Sequence, residues 1–120
     1  MKRTEHSQVE PFTTKDGSTI RELMHPNNIG SQKQSLAEAT VPVGCKTLAH
    51  RHYGAEEIYH ITAGTALMTL GNDVFEVNVG DTILIEPGVG HKIENTGEGE
   101  LKILCCCSPA YSHEDTELLE

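Results

Sequence analysis

The chain has 120 residues, with 9 Lys and Arg against 18 Asp and Glu, a formal net charge of −9. That length allows one domain around one modest core. The acidic balance excludes a phosphate-backbone partner, which needs clustered Lys and Arg, and no apolar run nears the roughly 20 residues needed to cross a bilayer.

Met1-Lys2-Arg3 is basic, but the polar Thr4-Glu5-His6-Ser7-Gln8 follows it rather than an apolar signal core. The expected compartment is therefore the cytoplasm. Residues 1–35 read as an N-terminal arm too polar to add much core on its own. Within it Thr14-Lys15-Asp16-Gly17 has turn chemistry, 18–23 reads as a short strand, and His25-Pro26-Asn27-Asn28 opens a loop. Residues 35–41 alternate weakly and stop at Pro42, which marks another strand. From there strand-like runs come densely, at 46–52, 56–62, 65–70, 74–77, 82–85, 92–94 and 100–107. Glycine, proline and Asn/Asp separate them, and Gly71-Asn72 reads as a tight hairpin. Many short strands at near-regular spacing, with no sustained helical period, indicate an all-β sandwich or barrel. Residues 109–120 read as an acidic turn or tail.

Four cysteines stand at Cys45 and in the run Cys105-Cys106-Cys107. Neighbours on a strand point to opposite faces, so adjacent cysteines are poorly placed to pair. Cys105 and Cys107 share a face. They read as soft metal ligands or redox thiols, or as small apolar residues in a core strand, and the second reading is preferred.

The densest chemistry lies between Gly44 and Asn95. His50 and His52 are two apart, so a strand points both to one face. Glu57 follows the turn-like Tyr53-Gly54-Ala55 and begins an apolar run. His91 follows a loop rich in proline and glycine. If these pieces pair, three imidazoles and one carboxylate converge on a buried point, a donor set that suits a divalent transition metal.

The same residues resemble the two signature motifs of the cupin family. Gly44, His50, His52, Glu57 and Gly64 match the first without a gap, and Gly80, Gly88, His91 and Asn95 match the second in register. One position departs, because Glu86 stands where the family has proline and Pro87 follows it. The resemblance covers residues 36–108. It implies a single-domain jelly-roll β-barrel, with His50, His52, Glu57 and His91 holding one metal ion (Fe, Mn, Ni, Cu or Zn). Glu56 competes with Glu57, but the spacing to Gly64 selects Glu57. Tyr59 has the parity of Glu57 and reads as a pocket residue or a core aromatic. His60 has the wrong parity for a ligand. His6, His25 and His113 read as surface histidines, and Asn95 as a residue that closes a turn onto backbone.

Three histidines and a carboxylate leave open positions on an octahedral ion, which favours catalysis over a closed structural site. The expected function is a metal-dependent enzyme on a small molecule, with a dioxygenase-like oxidoreductase preferred. A sugar or keto-acid isomerase, a non-enzymatic ligand-binding or sensor module, and a metal-stiffened structural domain are the alternatives. The resemblance also implies a homodimer, with residues 20–23 of the arm as the candidate exchanged strand.

Overall fold

Alternation along short runs decides this fold, because a strand buries every second side chain. In the computed structural model, which describes residues 1–28 and 30–120, the alternation is plain in strand β10 (Leu101–Ser108). It turns Leu101, Ile103, Cys105 and Cys107 inward. Strand β5 (Glu56–Ala63) turns Glu57, Tyr59 and Ile61 inward and leaves Glu56 exposed. The other strands are β1 (Phe12–Thr13), β2 (Thr19–Met24), β3 (Ser35–Val41), β4 (His50–His52), β6 (Ala66–Leu70), β7 (Asp73–Val77), β8 (Thr82–Ile85), β9 (His91–Asn95) and β11 (Thr116–Leu118).

These form two antiparallel sheets of a jelly-roll barrel. One has the order β1-β2-β3-β10-β5-β8 and the other β11-β4-β9-β6-β7. Between them Val41, Ile61, Met68, Ile85, Ile93, Leu101 and Ile103 are almost fully buried. Each such side chain contributes roughly 1.5–3 kcal/mol of transfer free energy. Two glycines are required by backbone geometry. Gly71 (φ +59°) opens the two-residue hairpin between β6 and β7. Gly64 (φ +87°) lies where an added Cβ would stand 2.8 Å from the Glu100 carbonyl oxygen.

The expected strands at 56–62, 65–70, 74–77, 82–85, 92–94 and 100–107 form with ends shifted by at most one residue. The run 46–52 is shorter than expected, since only His50–His52 is strand. Upstream of it, Thr47 exchanges bonds with Ile93 through both its N–H and its Oγ1, and the Leu48 N–H goes to the Asp16 carbonyl. Those bonds replace a regular ladder. Two expectations are corrected. Residues 109–120 are not a free tail, because Thr116–Leu118 pairs with His50–His52 and forms an edge of the five-stranded sheet. The arm contributes to the core after all. Thr19–Met24 pairs with β3 of its own chain, and Ile20 packs against the buried cluster. No helix among the described residues is long and apolar enough to cross a membrane.

Candidate metal centre

Three cross-strand pairs build the site. His50 on β4 lies opposite His91 on β9, Thr116 on β11 lies opposite His52, and Cys107 on β10 lies opposite Glu57 on β5. The histidines therefore come from one sheet and Glu57 from the other. All four are buried. One ring nitrogen from each of His50, His52 and His91 lies within 4.8 Å of the other two. Glu57 Oε1 stands 3.1 Å from His52 Nε2 and 3.6 Å from His91 Nε2.

The tautomers follow from the partners. Nδ1 of His50 lies 2.9 Å from the Leu48 carbonyl, and Nδ1 of His91 lies 3.0 Å from the Val89 carbonyl. A carbonyl only accepts, so both Nδ1 atoms carry the proton. Thr116 Oγ1 donates to the Ser112 carbonyl at 2.8 Å and so accepts from His52 Nδ1 at 2.9 Å. Each histidine thus turns an Nε2 lone pair toward the common point. His91 Nε2 is buried with no hydrogen-bond partner among the described residues, a state that ordinarily costs about 1–3 kcal/mol. At His52 a lone pair faces a carboxylate oxygen, and the two repel unless a cation lies between them. The donor set therefore fits a metal ion, which would relieve both conflicts, and the fixed Nδ1–H bonds are the usual orienting partners of ligating histidines.

Burial pushes the Glu57 carboxyl up, but when the facing His52 and His91 rings of the metal-free protein also carry a proton on Nε2, their hydrogen bonds and positive charge outweigh burial and hold it down to about 2. Burial, reinforced by His91, holds His50 below the ordinary imidazole value. Burial and then the Glu57 charge push the Cys107 thiol far up, so it stays protonated and donates to Glu57 Oε2 at 3.2 Å. Cys105 is likewise raised by burial. All four cysteines are free thiols. Cys107 thus neither merely packs nor ligates as a thiolate; it orients Glu57.

Tyr59 is buried, lines the cavity beside the site, and sets its ring edge-on to His91 at 5.9 Å. Burial and the nearby Glu57 charge raise its phenol well above the usual value. Glu56 is exposed, whereas Glu57 is buried and faces the histidines. His60 is away from the site, bonded to Thr82 Oγ1 at 2.8 Å. His6 and His113 are exposed as expected. His25 is not: it is buried, and its Nε2 donates to the Tyr111 carbonyl at 2.7 Å, which ties the arm to the C-terminal segment. Asn95 closes its turn as expected, donating to the Val41 and Gly99 carbonyls while accepting from Gly97 N–H.

Sequence reasoning missed Asp16, Thr116 and the role of Cys107. Asp16 lies inside the cavity with Oδ2 3.6 Å from His50 Nε2. Its Thr-Lys-Asp-Gly context signals only a turn, and nothing local says what the turn covers. The cavity, of about 50 Å³, has room for a few water-sized groups and so for a small ligand.

A family model described as Cupin domain matches residues 37–107. An uncharacterized protein of Methanocaldococcus jannaschii is 63% identical over 118 residues, covering 98% of this chain and 94% of that one. An oxalate-binding protein of Thermotoga maritima is 30% identical over 84 residues, 70% of this chain and 65% of that one. Among solved structures, a predicted oxalate decarboxylase of Thermotoga maritima superposes with a TM-score of 0.76 at 23% identity, over 88% of this chain and 96% of that one. The oxalate decarboxylase of Bacillus subtilis gives 0.85 at 19% identity, over 99% of this chain and 32% of that one. At such identities the structural matches establish the fold alone.

Proposed function

Because the chain belongs to the cupin family, we propose that it is a metal-dependent enzyme on a small, oxygen-rich molecule, with His50, His52, Glu57 and His91 as the ligands of one divalent transition metal (Fe, Mn, Ni, Cu or Zn). The observation that carries this is the buried His91 Nε2, without a hydrogen-bond partner among the described residues and aimed where two other imidazoles and a carboxylate meet. A bound metal would supply Lewis acidity or, if redox-active, a route to O₂. The chain's own residues supply the rest. Leu48, Val89 and Thr116 orient the imidazoles, Cys107 orients Glu57, and the core strands exclude bulk water. The open side of the centre faces the cavity, so a substrate chelating through two oxygens has room. Of the reactions that fit, dioxygenase-like oxidation is preferred over isomerisation of a sugar or keto acid.

A second reading, a non-enzymatic module that holds a small ligand, is favoured by the likeness to the oxalate-binding protein of Thermotoga maritima. One experiment separates the readings. Metal is quantified by elemental analysis of protein purified without added metal, and O₂ uptake is followed with diketones, catechols and keto-sugars. Redox-active metal with uptake on one class supports oxidation. Full-occupancy zinc with no uptake removes it in favour of isomerisation or binding.

We also propose a cytoplasmic homodimer. The four free thiols agree with a reducing compartment. Leu36, Ile58 and Leu84 are exposed, and together with the half-buried Cys106 they form one cross-strand row on the outer face of the six-stranded sheet. Sedimentation of the full chain and of Ile58→Asp tests this: the wild type runs as a dimer and the variant as a monomer, and a monomeric wild type removes the proposal.

A further inference from the structure

The Asp16 carboxylate is built into the cavity wall. Its Oδ1 accepts from Thr14 Oγ1 at 2.7 Å, from Ser18 N–H at 2.9 Å and from Ser18 Oγ at 2.6 Å. The turn beneath it is closed by Gly17 N–H to the Thr14 carbonyl and Thr14 N–H to the Ser18 carbonyl. It is anchored from two further directions. Leu48 N–H donates to the Asp16 carbonyl at 2.8 Å, and Lys15 Nζ reaches the His113 and Thr116 carbonyls at 2.8 and 2.9 Å. All of this holds Oδ1 and leaves Oδ2 without a hydrogen bond from the described residues, 3.6 Å from His50 Nε2. The carboxylate is only 12% exposed.

Among the described residues, the charged side chains that line the cavity are then Asp16, Glu22 and Glu57 against Lys15, with no arginine. A divalent ion at the centre brings the sum to zero. A bound dianion would add two negative charges to an enclosed site beside a fixed carboxylate. Like charges a few ångströms apart repel strongly where water is scarce. None of the described cavity residues offers a guanidinium fork to receive a second carboxylate. A neutral ligand leaves the balance intact, and its hydroxyl can donate to Oδ2, which accepts no hydrogen bond from the described residues.

We infer that Asp16 is a specificity-determining residue that bars small dicarboxylates from the metal centre and selects a neutral, hydroxyl-bearing chelator. This rests on the metal-site reading above and narrows its substrate class. The test uses the full chain saturated with Co(II), whose visible band reports changes in its ligands, titrated with oxalate and separately with dihydroxyacetone. Asp16→Asn keeps Oδ1 as an acceptor for Thr14 and Ser18 while removing the charge. The expected result is that oxalate binds the Asp16→Asn form at least tenfold more tightly than wild type, while dihydroxyacetone does not gain. Asp16→Glu, which restores the charge, should exclude oxalate as wild type does, and comparable circular-dichroism melts show that both variants fold. If Co(II) binds but oxalate gains less than threefold, or if both ligands tighten equally, the inference is wrong and the metal site stands. If wild type takes up no Co(II), the metal-site reading fails and the inference falls with it.

Discussion

Thr116→Val is the sharpest perturbation of the site that touches none of its four donors. Thr116 is buried on strand β11, and its hydroxyl performs two tasks. It accepts the His52 Nδ1 proton at 2.9 Å and donates to the Ser112 carbonyl at 2.8 Å. Valine preserves the shape and removes both bonds. Without the acceptor, His52 is free to move its proton to Nε2, which removes the lone pair a metal needs. Loss of such an orienting partner ordinarily lowers metal affinity ten- to a hundredfold, or about 1.4–2.8 kcal/mol. The Ser112 carbonyl also loses its donor, at about 1 kcal/mol of stability, which lowers Tm by about 4 °C in a chain of this size. The assay is competition for Zn(II) against a chromophoric chelator, with a thermal melt of the metal-free form in parallel. Thr116→Ser, which keeps the hydroxyl, should bind within about twofold of wild type, the scatter expected for an exchange that leaves the bond in place. If Thr116→Val also binds within that margin, the C-terminal strand does not orient the ligand, and the tautomer argument for His52 is refuted.

The remaining expectations follow from the same geometry. His50→Ala, His52→Ala and His91→Ala should each lose most bound metal by elemental analysis while His60→Ala keeps it, since His60 bonds Thr82 away from the site; metal lost from His60→Ala would move the site to another face of the barrel. Glu57→Gln should weaken binding less than any of the three histidine changes, and Glu56→Gln should be near neutral; the reverse order of the two glutamates would mean a strand register wrong by one residue. Asn95→Ala removes three hydrogen bonds, one buried and two partly buried, and should cost roughly 2–4 kcal/mol with metal content unchanged, which denaturant melts and elemental analysis read together. Metal-free protein should lose stability as pH falls. His50 is depressed by burial and by His91, so its contribution is present above the unfolded value of about 6.5 and is lost as pH drops below it. Glu57, raised by burial but held down further by His52 and His91 to about 2, contributes above its unfolded value of about 4.3 and loses that contribution toward pH 2. A melting temperature flat from pH 7 to 3 would contradict both. Metal affinity should fall over the same range, because the ligating imidazoles must be unprotonated.

The barrel strands and the shared inward face of the residues that converge at the centre were legible in the residues because both obey local periodicities. Inward-facing residues alternate by two, so His50 with His52, and Glu57 with Tyr59 and Ile61, could be assigned to common faces before any pairing was known. Glycine at 64 and 71 marked turns for a reason internal to the backbone. What surrounds the donors was decided only by tertiary structure. Asp16 reaches the cavity because its turn is pinned by Leu48 and by the C-terminal carbonyls, 32 and about 100 residues away in the chain. Thr116 meets His52 through a strand of three residues, too short to show a period. Cys107 meets Glu57 through a ladder register between strands 50 residues apart. His25, surface-like in a loop of breakers, is buried because the C-terminal segment folds over it. Periodicity tells which way a side chain faces. Only the pairing of distant segments, set by how the whole barrel closes over its apolar core, tells what it faces.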